Sequence, residues 1–254
     1  MEGLEVKIAD PEQPVENLFF VCCTIAYDPR VQIVAKNLVK ILNQAGVDYG
    51  FIGENESCCG SEVFALGEEG LFEMTVEDNT EFLNEFQARQ LVTLSPHCFT
   101  TFRTRYPDLN KPVLHYTQLL DQLLQEGKIS WNQDLPKKIV FHDPCYLGKQ
   151  SLVFDEPRRL LKSIQGVELL EFDRSRERSL CCEGGGGKMW VESESKAQRL
   201  AETRIKDAKE MGAEIVAVAC PFCVLTLEDA MKALGYEEEM RVAEITELLG
   251  ELLA

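Results

Sequence analysis

The chain has 254 residues, of which 45% are hydrophobic, so it can form one large domain or two modest ones. Its formal net charge is −17, which argues against nucleic acid or an anionic membrane surface as a partner. No apolar run approaches the roughly 20 residues of a membrane span, and residues 1–7 lack the pattern of a secretory signal. We therefore expect a soluble, cytoplasmic protein that binds no nucleic acid and has no direct membrane span.

The N-terminal half of the sequence predicts an alternation of strands and helices. Residues 1–16 are rich in acids and contain two prolines, and we expect them to form an arm. Asp28 offers a side-chain acceptor and Pro29 suits a first turn, so a helix is predicted from there to Gly46. Strands are predicted at 17–21, 49–52 and 90–94, and further helices over 62–86 and after residue 98.

The C-terminal half predicts the same order of elements. Residues 128–137 contain Asn, Asp and Pro and are expected to link the halves. Strands are predicted at 138–142, 167–172 and 214–219, and helices at 157–164 and 195–211. The halves also end alike, in Thr117-Gln-Leu-Leu120 and Thr246-Glu-Leu-Leu249. This order is typical of parallel α/β units, and we expect an N-terminal domain over 17–127 and a C-terminal domain over 138–254.

The ten cysteines repeat one pattern in the two halves. Matching positions of the pattern lie 122 to 125 residues apart. The N-terminal set is Cys23, Cys58, Cys59 and Cys98, and the C-terminal set is Cys145, Cys181, Cys182, Cys220 and Cys223. Adjacent pairs and Cys-x-x-Cys spacing favour metal over disulfides, which suit short secreted chains. The repeat predicts two pseudo-symmetric parallel-sheet α/β halves from an internal duplication, with each cysteine set at or beyond the carboxyl ends of its strands.

The pattern resembles the CCG (cysteine-rich) domain family, in which a lone Cys precedes a Cys-Cys-Gly and a Cys-x-x-Cys. Three phrases are similar to its heterodisulfide-reductase-like branch: Tyr27-Asp-Pro-Arg30, His142-Asp-Pro-Cys-Tyr-Leu-Gly148 and Cys220-Pro-Phe-Cys223. The sequence departs from the family at two positions. Ser95 stands where the first Cys of the N-terminal Cys-x-x-Cys is expected, and Glu183 stands where Gly should follow the second Cys pair.

The resemblance implies a noncubane [4Fe-4S] cluster held by all five C-terminal cysteines. The residues alone leave open a zinc site that uses four of them. Because adjacent thiolates need a bent loop, the glycine run 184–187 is expected to allow the bend and to bring backbone N–H groups to the cluster sulfur. Gly60, Gly184 and Gly185 are the expected cofactor-binding glycines.

The N-terminal set leaves three alternatives open. It could hold an unusual [4Fe-4S] cluster with an open or oxygen-bound iron near Ser95, a tetrahedral zinc, or no functional metal. Cys22 either fills space as a small buried residue or serves as an alternate ligand or redox partner. His142 could donate a hydrogen bond to cluster sulfur or move a proton. Ser95, Cys22 and His142 are therefore the candidate catalytic residues.

Two functions follow from this pattern. By resemblance, the chain is an iron–sulfur subunit of a heterodisulfide-reductase-like oxidoreductase complex that transfers electrons to or from a disulfide, a persulfide or another organic substrate. The alternative is a non-catalytic electron-transfer subunit with one [4Fe-4S] cluster and a structural zinc in the N-terminal half. The sequence shows no flavin or nicotinamide fingerprint. The resemblance therefore implies partner subunits, one ferredoxin-like and one containing flavin.

Overall fold

The computed structural model describes residues 4–190 and 199–253, except for the side chain of Trp190. The chain divides into two compact units between Ile129 and Ser130. Both units alternate parallel strands with helices, so the α/β class expected from the sequence is confirmed. None of the described helices is long and apolar enough to cross a membrane.

The first unit is built on a four-stranded parallel sheet of order β2-β1-β3-β4. Its described elements are β1 (Val15–Phe20), α1 (Cys23–Tyr27), α2 (Gln32–Gln44), β2 (Tyr49–Phe51), α3 (Ser61–Ala65), α4 (Glu69–Glu85), β3 (Ala88–Thr93), α5 (Pro96–Arg105), β4 (Val113–His115) and α6 (Tyr116–Gln125).

The spacing of apolar residues along the helices and strands explains why these segments pack against one another. Helix α2 carries Val34, Leu38 and Ile41 at helical spacing, and all three are fully buried. The rings of Phe19 on β1 and Phe51 on β2 pack with centroids 5.2 Å apart. Each such buried side chain contributes about 1.5–3 kcal/mol of transfer free energy. The core of the first unit therefore fixes the sheet on which its cysteines stand.

Three segments of the first unit differ from their predicted form. The helix predicted from Asp28-Pro29 begins only at Gln32, since Asp28 is the C-cap of α1. The helix predicted over 62–86 is two helices, α3 and α4, because Gly67 between them takes a left-handed φ of 85°. The segment expected as an arm lies along the sheet: Ala9 N donates to Phe51 O and Phe51 N donates to Lys7 O, both at 2.8 Å. Gly50 permits this approach, since a Cβ there would lie 2.8 Å from the Cβ of Ala9.

The second unit repeats the architecture with the sheet order β6-β5-β7-β8, again all parallel. Its described elements are β5 (Lys138–Phe141), α7 (Asp155–Lys162), β6 (Glu168–Leu170), α8 (Leu200–Glu210), β7 (Ile215–Val218), α9 (Pro221–Ala233), β8 (Arg241–Glu244) and α10 (Ile245–Glu251). Of the helix predicted over 195–211, residues 195–198 lie outside the described residues. The shared strand order confirms the internal duplication.

The last strand and helix of each unit show the repeat most closely. His115 caps α6 and Glu244 caps α10, and the side chain of each accepts from the backbone N–H of a Thr two residues later, Thr117 or Thr246. The matching phrases at the ends of the two halves are therefore matching helix starts. The strands before them, β4 and β8, are short and lead directly into the helix, and the sequence had not predicted them.

Candidate metal centres

The carboxyl ends of three adjacent strands bring the N-terminal cysteines together. Cys22 and Cys23 follow β1, the pair Cys58-Cys59 lies beyond β2, and Cys98 is in the first turn of α5 after β3. Because these strands are parallel neighbours, their loops meet at one edge of the sheet. The structure thus gathers all the predicted N-terminal thiols, and Cys22 with them.

The sulfurs of this N-terminal set form a closed sequence of contacts. Hydrogen-bond contacts between thiols join Cys22 to Cys23, Cys23 to Cys58, Cys58 to Cys59, Cys59 to Cys98, and Cys98 back to Cys22. Contacts from Cys23 and Cys59 lower the pKa of the Cys58 thiol to about 2, whereas burial raises the pKa of Cys98. Metal binding requires thiolates, and the ring joins five thiols through pairwise contacts.

Backbone and buried polar groups hold the first Cys pair in place. Gly60 N donates to Cys58 Sγ at 3.4 Å, and Gly60 has a φ of 77°. A Cβ at Gly60 would also lie 2.8 Å from the Phe72 ring, so glycine is required there. Tyr106 Oη donates to the carbonyl of Cys59 at 3.0 Å, and Asn79 Nδ2 donates to that of Cys58 at 2.8 Å.

Ser95 lies in this region but has a helix-capping role. It is fully buried, and its Oγ accepts from His97 N at 3.3 Å as the N-cap of α5. Its hydroxyl also contacts the Cys22 thiol. The backbone of Cys22 has a left-handed φ of 84°, and its N–H donates to Glu56 Oε1 at 2.8 Å. Burial raises the pKa of the Glu56 carboxyl to about 8. Glu56 was not among the predicted site residues.

The C-terminal cysteines meet in the same way in the second unit. Cys145 follows β5, Cys181-Cys182 lies beyond β6, and Cys220 and Cys223 stand at the N-cap and in the first turn of α9. Contacts between thiols join Cys145 to Cys181, Cys181 to Cys182, Cys182 to Cys223, and Cys223 to Cys220. The sulfurs of Cys182 and Cys223 are 3.2 Å apart. All five predicted thiols of this half are therefore neighbours.

Glu183 adopts the conformation of the glycine that it replaces. Its φ is 65°, and its N–H donates to Cys181 Sγ at 3.2 Å, as Gly60 does to its own Cys pair. The Glu183 carboxylate accepts from Leu200 N at 2.7 Å and pairs with Lys188. Gly184 follows, and a Cβ there would meet Phe222 O at 3.0 Å. Gly185 lies in the next turn and is partly exposed.

A buried polar pair stands beside the C-terminal thiols. Arg204 Nε donates to His142 Nδ1 at 3.3 Å, and burial lowers the pKa of His142 to about 3. Within the part of the chain that the structure describes, His142 Nε2 has no hydrogen-bond partner. A ring nitrogen of His142 and the sulfurs of Cys182 and Cys223 all lie within 4.8 Å of one another. This geometry suits a hydrogen bond from His142 to a bound group.

A second buried pair fixes the loop that carries Cys145. Arg158 contacts both carboxylate oxygens of Asp143, at 2.7 and 2.9 Å, and also pairs with Glu171 at 2.6 Å. Asp143 in turn accepts from Arg176 N at 2.8 Å. Such paired burial keeps charged groups satisfied. Neither Arg158 nor Arg204 was expected from the sequence, because arginines on helices far along the chain give no local signal.

One cavity of the first unit opens onto its thiols. It has a volume of about 560 Å³, and its walls include Cys23, Cys58, Tyr27 and Lys36. Cys58 is exposed and Cys23 is half-buried, whereas Cys59 and Cys98 are buried. A small molecule in this cavity would therefore reach the N-terminal centre through its two more open thiols.

The donor sets fit an iron–sulfur cluster. Both sets consist of thiols alone, and iron–sulfur clusters are held by Cys thiolates. Backbone N–H groups already point at one sulfur in each set, from Gly60 and from Glu183. The buried Nε2 of His142 can add a donor at the C-terminal centre. Five convergent thiols exceed the four that tetrahedral zinc takes.

Comparison with known proteins identifies the family. A family model described as a cysteine-rich domain, CCG, matches residues 17–103 and 139–228. This chain belongs to that family, with one copy of the domain in each half. The resemblance drawn from the cysteine pattern is thereby confirmed.

Relatives with described names are iron–sulfur and redox proteins. An EtfAB:quinone oxidoreductase of Syntrophomonas wolfei is 34% identical over 92% of this chain and 34% of its own length. The "Probable iron-sulfur-binding oxidoreductase FadF" of Bacillus subtilis is 37% identical over 93% of this chain and 34% of its own. A subunit of the dihydromethanophenazine:CoB--CoM heterodisulfide reductase of Methanosarcina barkeri is 35% identical, over 98% of this chain and 61% of its own. This chain thus spans about a third of the first two relatives.

Solved structures show only a distant likeness. A glutamate racemase, RacE1, from Bacillus anthracis aligns over 94% of this chain and 79% of its own, with a TM-score of 0.38 and 14% identity. A likeness at that level carries no conclusion about this chain.

Proposed function

We propose that this chain is the iron–sulfur part of a heterodisulfide-reductase-like oxidoreductase complex and that each half holds a noncubane [4Fe-4S] cluster. One observation carries the proposal: each half gathers an all-thiol set at the carboxyl ends of adjacent parallel strands. The relatives named for iron–sulfur binding and for heterodisulfide reduction support it. The electrons would pass to or from partner subunits, one ferredoxin-like and one containing flavin.

The residues of the chain hold and shield the clusters. A bound cluster supplies one-electron steps. Cys59, Cys98, Cys182, Cys220 and Cys223 are buried and keep water from one side of each centre. The N–H groups of Gly60 and Glu183 donate to the sulfurs of Cys58 and Cys181 and favour the thiolate form of each. The more open thiols are Cys23 and Cys58 in the first unit and Cys145 and Cys181 in the second, and substrate or electrons would reach each centre through its own pair.

The substrate is proposed to enter by the cavity next to Cys23 and Cys58. The proposed substrate is a disulfide, a persulfide or another organic molecule. Reduction of a disulfide breaks its S–S bond, takes up two electrons and two protons, and releases two thiols. The electrons would come from the partner subunits, and the reverse reaction would return them there. Lys36 and Tyr27 on the cavity wall, with Glu54 and Glu56 beside them, offer both donors and acceptors to polar groups of an organic substrate.

A second function is favoured by one specific residue. Ser95 replaces a family Cys in the N-terminal set only, whereas the C-terminal set keeps all its cysteines. Without Cys22, the N-terminal set has four thiols, those of Cys23, Cys58, Cys59 and Cys98, and four thiols suit a tetrahedral zinc. On this alternative the chain is a non-catalytic electron-transfer subunit, with one [4Fe-4S] cluster in the C-terminal half and a structural zinc in the other.

The metal content of anaerobically purified protein tests the two functions against each other. Iron, zinc and acid-labile sulfide would be counted per chain, and Mössbauer spectra would give the cluster type. The proposal expects the iron and sulfide of two [4Fe-4S] clusters and no bound zinc. One cluster together with one zinc would overturn it in favour of the second function.

A further inference from the structure

The order of sulfur contacts is the same in both halves. In the second unit the contacts lead from Cys145 to Cys181, Cys182, Cys223 and Cys220 in that order. In the first unit the matching contacts lead from Cys23 to Cys58, Cys59 and Cys98. The next contact of Cys98 is the thiol of Cys22. Cys22 thus occupies the place in the N-terminal series of contacts that Cys220 occupies in the C-terminal series.

The sequence position equivalent to Cys220 belongs to Ser95, and the two residues begin equivalent helices. Cys220 is the N-cap of α9 and Ser95 is the N-cap of α5, each followed by proline. Ser95 Oγ is engaged with His97 N, and its hydroxyl touches the Cys22 thiol. The Cys22 thiol therefore lies beside the point at which a cysteine at residue 95 would place its sulfur.

The backbone at Cys22 is held in an unusual conformation that serves this arrangement. A left-handed φ of 84° is rare for a residue with a side chain, because the Cβ crowds the backbone there. The carboxyl group of Glu56 holds it, accepting from Val21 N at 2.6 Å and from Cys22 N at 2.8 Å. In this conformation the Cys22 thiol contacts both Cys98 and Ser95.

We infer that Cys22 is the fifth thiol ligand of the N-terminal metal centre, supplied by the end of β1 in place of the residue at position 95. This assignment rests on the proposed function, since it completes the same centre. It leaves Ser95 as the helix cap and places no oxygen ligand on the metal. The N-terminal centre then has five thiolates, like its counterpart, and an open or oxygen-bound iron near Ser95 is not expected.

The test compares single variants of the full chain with a double variant. Cys22→Ala should lose the N-terminal cluster, so that half of the iron and sulfide remains. Ser95→Ala should keep all of it, because Ser95 is not a ligand. The double variant Cys22→Ala/Ser95→Cys should regain the lost iron, because it restores the cysteine arrangement of the second unit. The C-terminal cluster remains in each variant and serves as an internal control for folding.

The outcomes separate this inference from the proposed function. Full iron content with unchanged Mössbauer and EPR spectra in Cys22→Ala would overturn the inference and leave the proposed function standing. Loss of iron in Cys22→Ala without recovery in the double variant would also overturn it. Zinc in the wild-type N-terminal centre would defeat the proposed function. In that case, zinc retained by Cys22→Ala would defeat the inference as well, and zinc lost and regained in the double variant would support it.

Discussion

A buried guanidinium, that of Arg204, lies next to the C-terminal thiols. Arg204 is fully buried, lies 3.6 Å above the Phe172 ring, and bonds a carbonyl, a hydroxyl and His142. Its Nη1 has no hydrogen-bond partner among the described residues, and burial lowers the pKa of Arg204 to about 10. Asp207 and Asp143 offset part of this positive charge, and through its bond to His142 the guanidinium also lies close to the C-terminal thiols.

We therefore predict that Arg204 raises the reduction potential of the C-terminal cluster. A nearby positive charge stabilises the reduced, more negative state. Arg204→Gln should lower the potential of this cluster by tens of millivolts, as measured by an EPR-monitored redox titration. Arg204→Lys keeps the positive charge and is the matched control. Its cluster potential should lie between those of the wild type and Arg204→Gln. An unchanged or higher potential in Arg204→Gln would show that the charge does not act on the cluster.

Glu183 has a strained backbone, while its side chain forms a stabilising hydrogen bond. Its left-handed φ suits glycine, but its carboxylate bonds Leu200 N at the start of α8. Both Glu183→Ala and Glu183→Gly lose that bond, and only Gly relieves the strain. Glu183→Gly should therefore be more stable than Glu183→Ala by about 1 kcal/mol. Denaturant unfolding of the two variants measures the difference, and equal stabilities would contradict the strain.

At the scale of elements, the cap of α6 makes the stability of the fold sensitive to acid. His115 caps α6 and is fully buried, and burial lowers its pKa to about 3. The folded state keeps His115 neutral, while the unfolded chain takes up a proton near the ordinary pKa of 6.5. The unfolded state therefore gains protons as the pH falls from 6.5 toward 3, and stability is lost over that range.

His115→Asn should remove this part of the pH dependence and keep a capping side chain. The free energy of unfolding of the wild type should fall relative to that of the variant below pH 6.5, by at most about 1.4 kcal/mol per pH unit. Urea unfolding at pH 7.5 and pH 5.5 gives the comparison. A difference between the two proteins that does not change with pH would contradict the prediction.

Most of the strands were predicted from the sequence. Helix α2 and strands β1, β3, β5 and β7 were expected near their observed bounds, and so were the three-residue strands β2 and β6. Strand β4 has three residues and runs straight into α6, so no turn residue marks it. The break between α3 and α4 depends on the conformation of Gly67, which periodicity does not reveal.

At the scale of the whole molecule, each cysteine set belongs to one compact unit. The boundary between Ile129 and Ser130 separates the thiols up to Cys98 from those that begin at Cys145. Cys182→Ser should therefore empty the C-terminal centre and leave the N-terminal one loaded. Iron and sulfide content should fall by half, with the spectrum of one cluster retained. Loss of both clusters would show that the centres depend on each other.

The spacing of cysteines in the sequence located nine of the thiols that the structure brings together. It did so because adjacent pairs and Cys-x-x-Cys spacings place thiols on loops at one sheet edge. It could not assign Cys22, since its contact with Cys98 joins residues 76 positions apart through the sheet. Glu56 and Arg204 were missed for the same physical reason: their roles depend on packing between elements.

The pairing of residues 7–9 with β2 has a consequence for how the protein behaves in solution. An outer strand with free backbone groups can recruit strands of other molecules and start aggregation. Ala9 and Lys7 engage the N–H and C=O of Phe51, and so block that part of the outer strand. Removing residues 4–10 would uncover it beside the apolar rings of Tyr49 and Phe51. The acidic N-terminal segment thus protects the first unit against self-association.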